Sequence, residues 1–253
     1  MHAYKITIAY DGSDFFGWQI QADQPTVTST LCNTFKKTFG EEISMIGASR
    51  TDAGVHALGQ IALFRSNITV CEQKMRDAWN NALPQSIRIR TLEKADESFH
   101  PCKNVKQKTY WYILFLKPPL PLVARYGWYY PFMKRVDLNK FYQALKLYEG
   151  THNFTSFCRI EDKQKNPIRS IDSITVKKWT HMNTLLVSIK GQSFLRFQIR
   201  RMIGYALDVA QRTDLPVEYI QELLDNPHPQ QRLIKADGSG LCLRKVIYYD
   251  QKK

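Results

Sequence analysis

The apolar residues of this chain change period along its length, and the order of those changes constrains the fold more than any other feature. Tyr4, Ile6, Ile8 and Tyr10 alternate with Lys5 and Thr7, the period of a half-buried strand. Val27, Leu31, Phe35 and Phe39 recur every fourth residue behind Thr26, which suits an N-cap, so an amphipathic helix is predicted there. Strand-like runs follow at 41–48 and 59–65. Cys71, Met75, Trp79 and Ala82 then mark a second helix, stopped by Pro84, and Ile87 and Ile89 alternate with Arg88 and Arg90 in a further strand. The order is β-α-β-β-α-β, the split arrangement of ferredoxin-like units.

The second half repeats that order without a residue-level repeat. Lys108 to Leu116 reads as a strand that Pro118, Pro119 and Pro121 break. Asp137 caps a helix carrying Leu138, Phe141, Leu145 and Tyr148 on one face, and Gly150 ends it. Strands at about 169–178 and 184–192, helices at about 196–211 and 217–225, and a strand at 241–249 complete the run. The expected class is α+β with mainly antiparallel sheets. At about 150 residues per domain a chain of 253 suits two, divided near residue 106 into 1–106 and 107–253.

Composition narrows the partner. A hydrophobic share of 43% supports real cores and argues against wholesale disorder. The formal charge of +13 attracts polyanions, of which nucleic acid is the commonest in a cell, although a lysine-rich surface can also serve solubility alone. No run approaches the roughly 18 apolar residues of a membrane-spanning helix. Met1 to Lys5 does not read as a signal peptide. Cys32, Cys71, Cys102, Cys158 and Cys242 are scattered, which disfavours a disulfide framework or a zinc site. The expectation is a soluble, cytoplasmic protein with no membrane partner.

Two segments stand apart from ordinary α/β packing. Arg50-Thr51-Asp52-Ala53-Gly54-Val55-His56-Ala57 lies between two strands. An Asx-turn or N-cap explains an Asp beside Gly in a loop, and on residue physics alone that reading leads. The sharper one is a carboxylate nucleophile kept ionised by a neighbouring guanidinium. In Phe194 to Gly204, Arg196 and Arg200 are four apart and would share a helix face, while Arg201 turns away. They form either a solvated basic face or a set with one arginine in a cleft. Tyr110 and Tyr112 share one face of a strand beside Lys108, as sheet core or as a surface on which an exposed base stacks.

Together these residues form a recognisable set. Asp11-Gly12-Ser13-Asp14-Phe15-Phe16-Gly17-Trp18-Gln19-Ile20-Gln21 and Arg50 to Ala57 resemble the TruA family of tRNA pseudouridine synthases. The resemblance continues through Phe99-His100-Pro101, Lys108 to Tyr112, Glu149 to Phe154, the arginine helix and Gly240 to Leu243. It implies that Asp52 is the catalytic aspartate and that Arg50 helps displace the target base. It further implies that Tyr110 stacks on the uracil, that Arg200 pairs with the catalytic carboxylate, and that Leu241 lines the base pocket. The implied reaction isomerises uridine at positions 38, 39 and/or 40 of the tRNA anticodon arm, without cofactor or metal, in a homodimer. The implied fold is two ferredoxin-like halves packed around a central catalytic cleft.

Some positions depart from the usual pattern. Arg196, Phe197 and Gln198 stand where Tyr-His-Met is common, Ala236-Asp237-Gly238 where Ala-Pro-Ala is usual, Thr28 replaces a glutamine, and Cys102 replaces an arginine. A rival reading is a non-catalytic RNA-binding module built on ferredoxin-like sheets with exposed aromatics. A metal-dependent hydrolase would want clustered ligands, whereas His56, His100 and His152 are dispersed and suit hydrogen-bonded structural places.

Overall fold

The computed structural model describes residues 1–159, 166–229, 231 and 233–249. In chain order the elements are β1 (His2–Tyr10), α1 (Val27–Phe39), β2 (Met45–Gly47), β3 (His56–Ser66), α2 (Glu72–Ala82), β4 (Ile87–Lys94) and β5 (Val105–Phe115). They continue with β6 (Trp128–Tyr129), α3 (Leu138–Lys146), β7 (Gly150–Asn153), β8 (Ile168–Trp179), β9 (Thr184–Gly191), α4 (Gln198–Gln211), α5 (Tyr219–Asp225) and β10 (Leu241–Tyr248). The expected α+β class holds: five of the seven strand pairings with a recorded register are antiparallel, and only β3–β10 and β5–β6 are parallel.

The chain forms two compact units, Met1–Lys108 with the stretch from Cys242 onward, and Thr109–Leu241. A single cut near residue 106 would assign β10 to the second half, but nearly all of it belongs to the first unit. Cys242 and Leu243 pair with His56 and Ala57. Tyr248 donates its hydroxyl to the Pro101 carbonyl at 2.8 Å and meets Phe99 edge-on at 5.3 Å. The Phe99-His100-Pro101 motif therefore anchors this strand.

In the first unit the order β4-β1-β3, with β2 on the far edge of β3, reproduces the split arrangement read from the sequence. Tyr4, Ile6 and Ile8 of β1 are fully buried, as their alternation requires. Val27, Leu31 and Phe35 of α1 and Met75 and Trp79 of α2 are buried as well, and Tyr4 stacks on Phe64 at 5.3 Å. Phe35, Phe64 and Trp79 contact one another edge-on with centroids 4.8–5.4 Å apart, each pair adding about 1 kcal/mol beyond burial. Thr26 caps α1 by accepting from the Ser29 amide at 3.2 Å, and Gly40 closes it at φ 76.

The second unit arranges β5-β9-β8-β7, with β6 beside β5. The short strands β6 and β7 carry no alternation long enough to read from sequence. α3 begins where expected, with Asp137 accepting from the amides of Asn139 at 2.8 Å and Lys140 at 3.1 Å. Tyr148, Phe154 and Phe157 form a ring cluster that Tyr205 of α4 joins through Phe157. α4 starts at Gln198, later than the expected residue 196, because Phe197 adopts left-handed backbone at φ 63.

The cysteines test this packing. Cys242 is buried and its thiol pushed up to about 12, and Cys32 is pushed up to about 11, in both cases first by burial. Cys158 is also raised by burial, whereas Cys71 and Cys102 are exposed. A raised thiol pKa lowers the thiolate fraction at any pH below it. Reaction of native protein with a thiol reagent at pH 8 is expected to label Cys71 and Cys102 within minutes. Cys32, Cys158 and Cys242 should react only after urea is added, as read by peptide mapping.

Candidate active site

In the first unit the Arg50–Val55 loop joins β2 to β3, and its geometry follows from one buried anchor. The Thr51 side chain is buried and its hydroxyl lies 2.7 Å from the Tyr10 hydroxyl at the end of β1. Its carbonyl accepts from the Trp18 amide at 3.0 Å. With Thr51 turned inward, Arg50 is left exposed and Asp52 half-buried. The Gly54 amide donates to the Phe15 carbonyl at 3.3 Å, and the Val55 amide to the Asp52 carbonyl at 3.2 Å, closing a tight turn with Gly54 at φ 75.

The stretch from Asp11 to Gln21 is the brace for this loop. Gly17 sits at φ +92, and a Cβ there would lie 2.6 Å from the Thr51 carbonyl oxygen and 3.0 Å from the Asp52 carbonyl carbon. At Gly12 a Cβ would fall 2.0 Å from the Val55 oxygen. The Gly12 amide donates to His56 Nδ1 at 3.1 Å. Asp11 Oδ1 lies 3.2 Å from the same Nδ1 and also accepts from the Ser13 amide and hydroxyl.

The N-terminal side of the loop is equally tied. Fully buried Gln60 accepts from the Ser49 amide at 3.2 Å and donates to the Ser49 carbonyl at 2.6 Å. Lys108 donates to the Ala48 carbonyl at 2.7 Å, and burial pulls its ammonium below the usual lysine value. Cys102 reaches the Gly47 carbonyl at 3.3 Å. Tyr10, Gln60 and Lys108 escaped the sequence reading as supports of this loop, since each looks like an ordinary strand residue until pairing brings it there.

The second unit holds Tyr110, Arg200 and Leu241, which the segment 234–241 links. Arg200 is buried on α4, and its Nε donates to the Ala236 carbonyl at 2.8 Å while the Ala236 amide donates back to the Arg200 carbonyl at 3.0 Å. Gly204 allows this approach: a Cβ there would be 2.3 Å from the Ile234 carbonyl oxygen. One residue beyond Ala236, the Asp237 carbonyl accepts from the Tyr112 hydroxyl at 2.8 Å, and Gly240 packs against the Tyr112 ring, 2.5 Å from where its Cβ would stand. Burial first, then the Asp237 charge, holds the Tyr112 phenol well above its usual pKa, so it stays a donor. Leu241 follows this turn and is buried. Tyr110, on β5, is buried and meets Phe194 edge-on at 5.2 Å.

Arg196 precedes α4, so it shares no helix face with Arg200, yet both guanidiniums lie over the Phe197 ring. Arg201 does turn away, donating to the carbonyls of Cys158 and Ser156. The dispersed histidines are hydrogen-bonded: His100 accepts from the Cys102 amide at 3.1 Å and His152 Nε2 lies 2.8 Å from the Glu149 carbonyl. Among the described residues no three His, Cys, Asp or Glu side chains gather as metal ligands, and no helix is long and apolar enough to cross a membrane.

A family model described as tRNA pseudouridine synthase matches residues 6–103 and 144–249. The chain is 36% identical to a tRNA pseudouridine synthase A of Thermodesulfovibrio yellowstonii, over 96% of its own length and 98% of that protein's. It is 33% identical to a tRNA pseudouridine synthase A of Brachyspira hyodysenteriae, covering 99% of this chain and all of the relative (100%). It is also 33% identical to tRNA pseudouridine synthase A 1 of Protochlamydia amoebophila, covering 99% and 98%.

The brace carries its own prediction. Gly17→Ala forces a side chain into left-handed backbone against the Thr51 carbonyl. It is expected to lower unfolding stability by about 1–3 kcal/mol in urea titration. Amide exchange at Trp18, whose N–H the Thr51 carbonyl accepts, should speed up with it.

Proposed function

The chain belongs to the tRNA pseudouridine synthase family, and from that premise we propose that Asp52 is the nucleophile with which it isomerises uridine at positions 38, 39 and/or 40 of the tRNA anticodon arm. It is an isomerase: uridine and pseudouridine have the same atoms, and the reaction needs no electron transfer or added group. The N1–C1′ bond breaks, the uracil turns, C5 bonds to C1′, C5 loses its hydrogen and N1 gains one. The alternative of a non-catalytic RNA-binding module gives way to the family match, which spans most of both units.

The observation that carries the assignment of Asp52 is the inward anchoring of Thr51. It leaves a half-buried carboxyl and an exposed guanidinium on a loop braced from both sides. A nucleophile gains from such preorganisation because its approach costs no loop ordering at the moment of reaction. The target base lies in a stem-loop and must be extruded before a side chain reaches it. Arg50, long and exposed, fills the space the base leaves. Tyr110 stacks on the extruded uracil, Leu241 lines its apolar edge, and Arg200 keeps the carboxylate ionised as water is excluded. Asp52 then attacks C6 of the ring or C1′ of the sugar, or assists a glycal route.

No cofactor or metal is assigned a step. The net charge of +13 suits a tRNA partner, and the protein is proposed to act as a homodimer in the cytoplasm, where one tRNA contacts both copies.

Tritium release from tRNA labelled at uridine C5 tests the reading directly. The wild type is expected to release tritium, and Asp52→Ala to release none above background, with tRNA affinity within about threefold of wild type. Substantial turnover by Asp52→Ala would move the nucleophile elsewhere. Affinity should also fall steeply with salt, roughly one power of salt concentration per neutralised phosphate. An affinity unchanged between 50 and 200 mM salt, roughly, would count against a phosphate-reading surface.

A further inference from the structure

Phe16 differs from the other rings of its stretch. Phe15 and Trp18 are buried, at 7% and 2% exposure, whereas Phe16 shows 48% of its surface to solvent. A single exposed apolar side chain is ordinary on a protein surface. What gives this one meaning is how it is held and where.

The Phe16 amide donates to the Pro25 carbonyl at 2.8 Å, and the Phe16 carbonyl accepts from the Gln21 side chain at 2.6 Å. Both neighbours are tied as well. The Phe15 carbonyl accepts from the Gly54 amide at 3.3 Å, and the Gly17 carbonyl from the Val27 amide at 3.0 Å. The ring is therefore displayed from backbone already ordered, and a contact made through it costs little further chain entropy. Residues 15 and 17 also both meet the Asp52 loop. Phe15 does so through Gly54, and a Cβ on Gly17 would lie 3.0 Å from the Asp52 carbonyl carbon and 3.2 Å from the Ala53 nitrogen. The Cα that carries the Phe16 ring lies between those two contacts. A nucleotide presented to Asp52 brings the next nucleotides of its strand into the neighbourhood of an exposed aromatic ring.

Extrusion of the target base supplies the ligand. A flipped nucleotide leaves the bases beside it unstacked, a cost that another π surface recovers. Arg50, proposed above to enter the gap, has less flat area than the uracil it replaces, so base surface remains for a second group to cover. We propose that Phe16 is a stacking platform for the tRNA, its ring covering the face of a nucleobase that flanks the target uridine. The proposal rests on the assignment of Asp52 made above, and the contact is separate from that of Tyr110 with the uracil itself. Stacking tolerates any base, because every base has a π face. Such a platform suits an enzyme whose proposed targets are successive positions with different neighbours.

Binding is measured in an Asp52→Ala background with a tRNA whose only uridine among positions 38–40 is at 39. The tRNA is intact or carries an abasic site at 38 or at 40. Phe16→Ala is expected to weaken the Kd for intact tRNA about tenfold, the stacking of one base. Phe16→Leu, which keeps apolar bulk without a π face, should weaken it by more than about threefold, while Phe16→Tyr and Phe16→Trp stay within about twofold. On one of the two abasic tRNAs Phe16→Ala should cost nothing further, the non-additivity of two groups in contact. With Asp52 intact, tritium release at enzyme concentrations below Kd should slow by the same factor. The urea midpoint and elution volume of Phe16→Ala should match its parent's. An unchanged Kd in Phe16→Ala overturns the proposal, as does a tenfold loss that persists on both abasic tRNAs, roughly. A lowered urea midpoint or a later elution volume accompanying the loss also overturns it, assigning Phe16 to the fold or to a contact between copies. If the wild type releases no tritium from any tRNA, the functional reading fails, and the abasic binding cycle still decides whether Phe16 stacks on RNA.

Discussion

The close approach of two main-chain segments, the Asp11–Gln21 stretch and the Arg50–Val55 loop, is the constraint on which the first unit's chemistry depends. Gly12 and Gly17 stand where any Cβ would collide with the Val55 or Thr51 carbonyls, so the two backbones touch without side chains between them. Contact at that range is specific: the Trp18 amide finds the Thr51 carbonyl and the Gly54 amide finds Phe15. Loops ordinarily pay in entropy for every residue held still. Here the order is supplied by hydrogen bonds buried under Tyr10 and Trp18, whose rings lie 6.2 Å apart. Asp52 follows Thr51, whose hydroxyl and carbonyl anchor the loop, and its own carbonyl accepts from the Val55 amide in the turn.

The second unit solves the same problem with a helix in place of a loop. Arg200 is nearly buried, and burying a charge is costly unless its donors are satisfied. The reciprocal pair between Arg200 and Ala236 meets part of that cost with main-chain groups, and the missing side chain of Gly204 is what lets the 234–236 backbone come close enough. The same segment continues to Asp237, whose carbonyl takes the Tyr112 hydroxyl, and to Gly240 beneath the Tyr112 ring. One short stretch, ending in a single 3-10 turn at Gly238–Gly240, thus fixes a helix arginine, a strand tyrosine two residues from Tyr110, and the approach to Leu241. Asp237 is part of this: its carboxylate accepts from the Ser239 amide at 2.9 Å and steadies the turn.

Much of the fold was legible because its signals are local. Alternation over Tyr4–Tyr10 and fourfold spacing over Val27–Phe39 are single-element patterns, and burial of those very side chains bears them out. Strands β6 and β7, two and four residues long, hold too few residues for a period to show. The start of α4 was misplaced by two residues because helix-forming residues at 196 and 197 give no local warning of a left-handed turn. β10 reads correctly as a strand, but its partner β3 lies nearly two hundred residues earlier, and no periodicity encodes that pairing.

What the sequence determined by itself is the list of chemical groups and their order: a carboxylate between an arginine and a glycine, a helix opening on arginines, aromatics on a strand, and enough positive charge to seek a polyanion. Motif resemblance could attach roles to Asp52, Arg50, Tyr110, Arg200 and Leu241 because such motifs are strings, and strings survive without coordinates. How those groups are held follows from the folded chain: Thr51 as the buried pivot, Gln60 and Lys108 as ties, Ala236 as a partner of Arg200, and Phe197 as a ring shared by three cations. The reason is range. Period and capping act within a few residues, while hydrogen bonds and ring contacts join whatever the folded backbone brings within a few ångströms, however far apart along the chain.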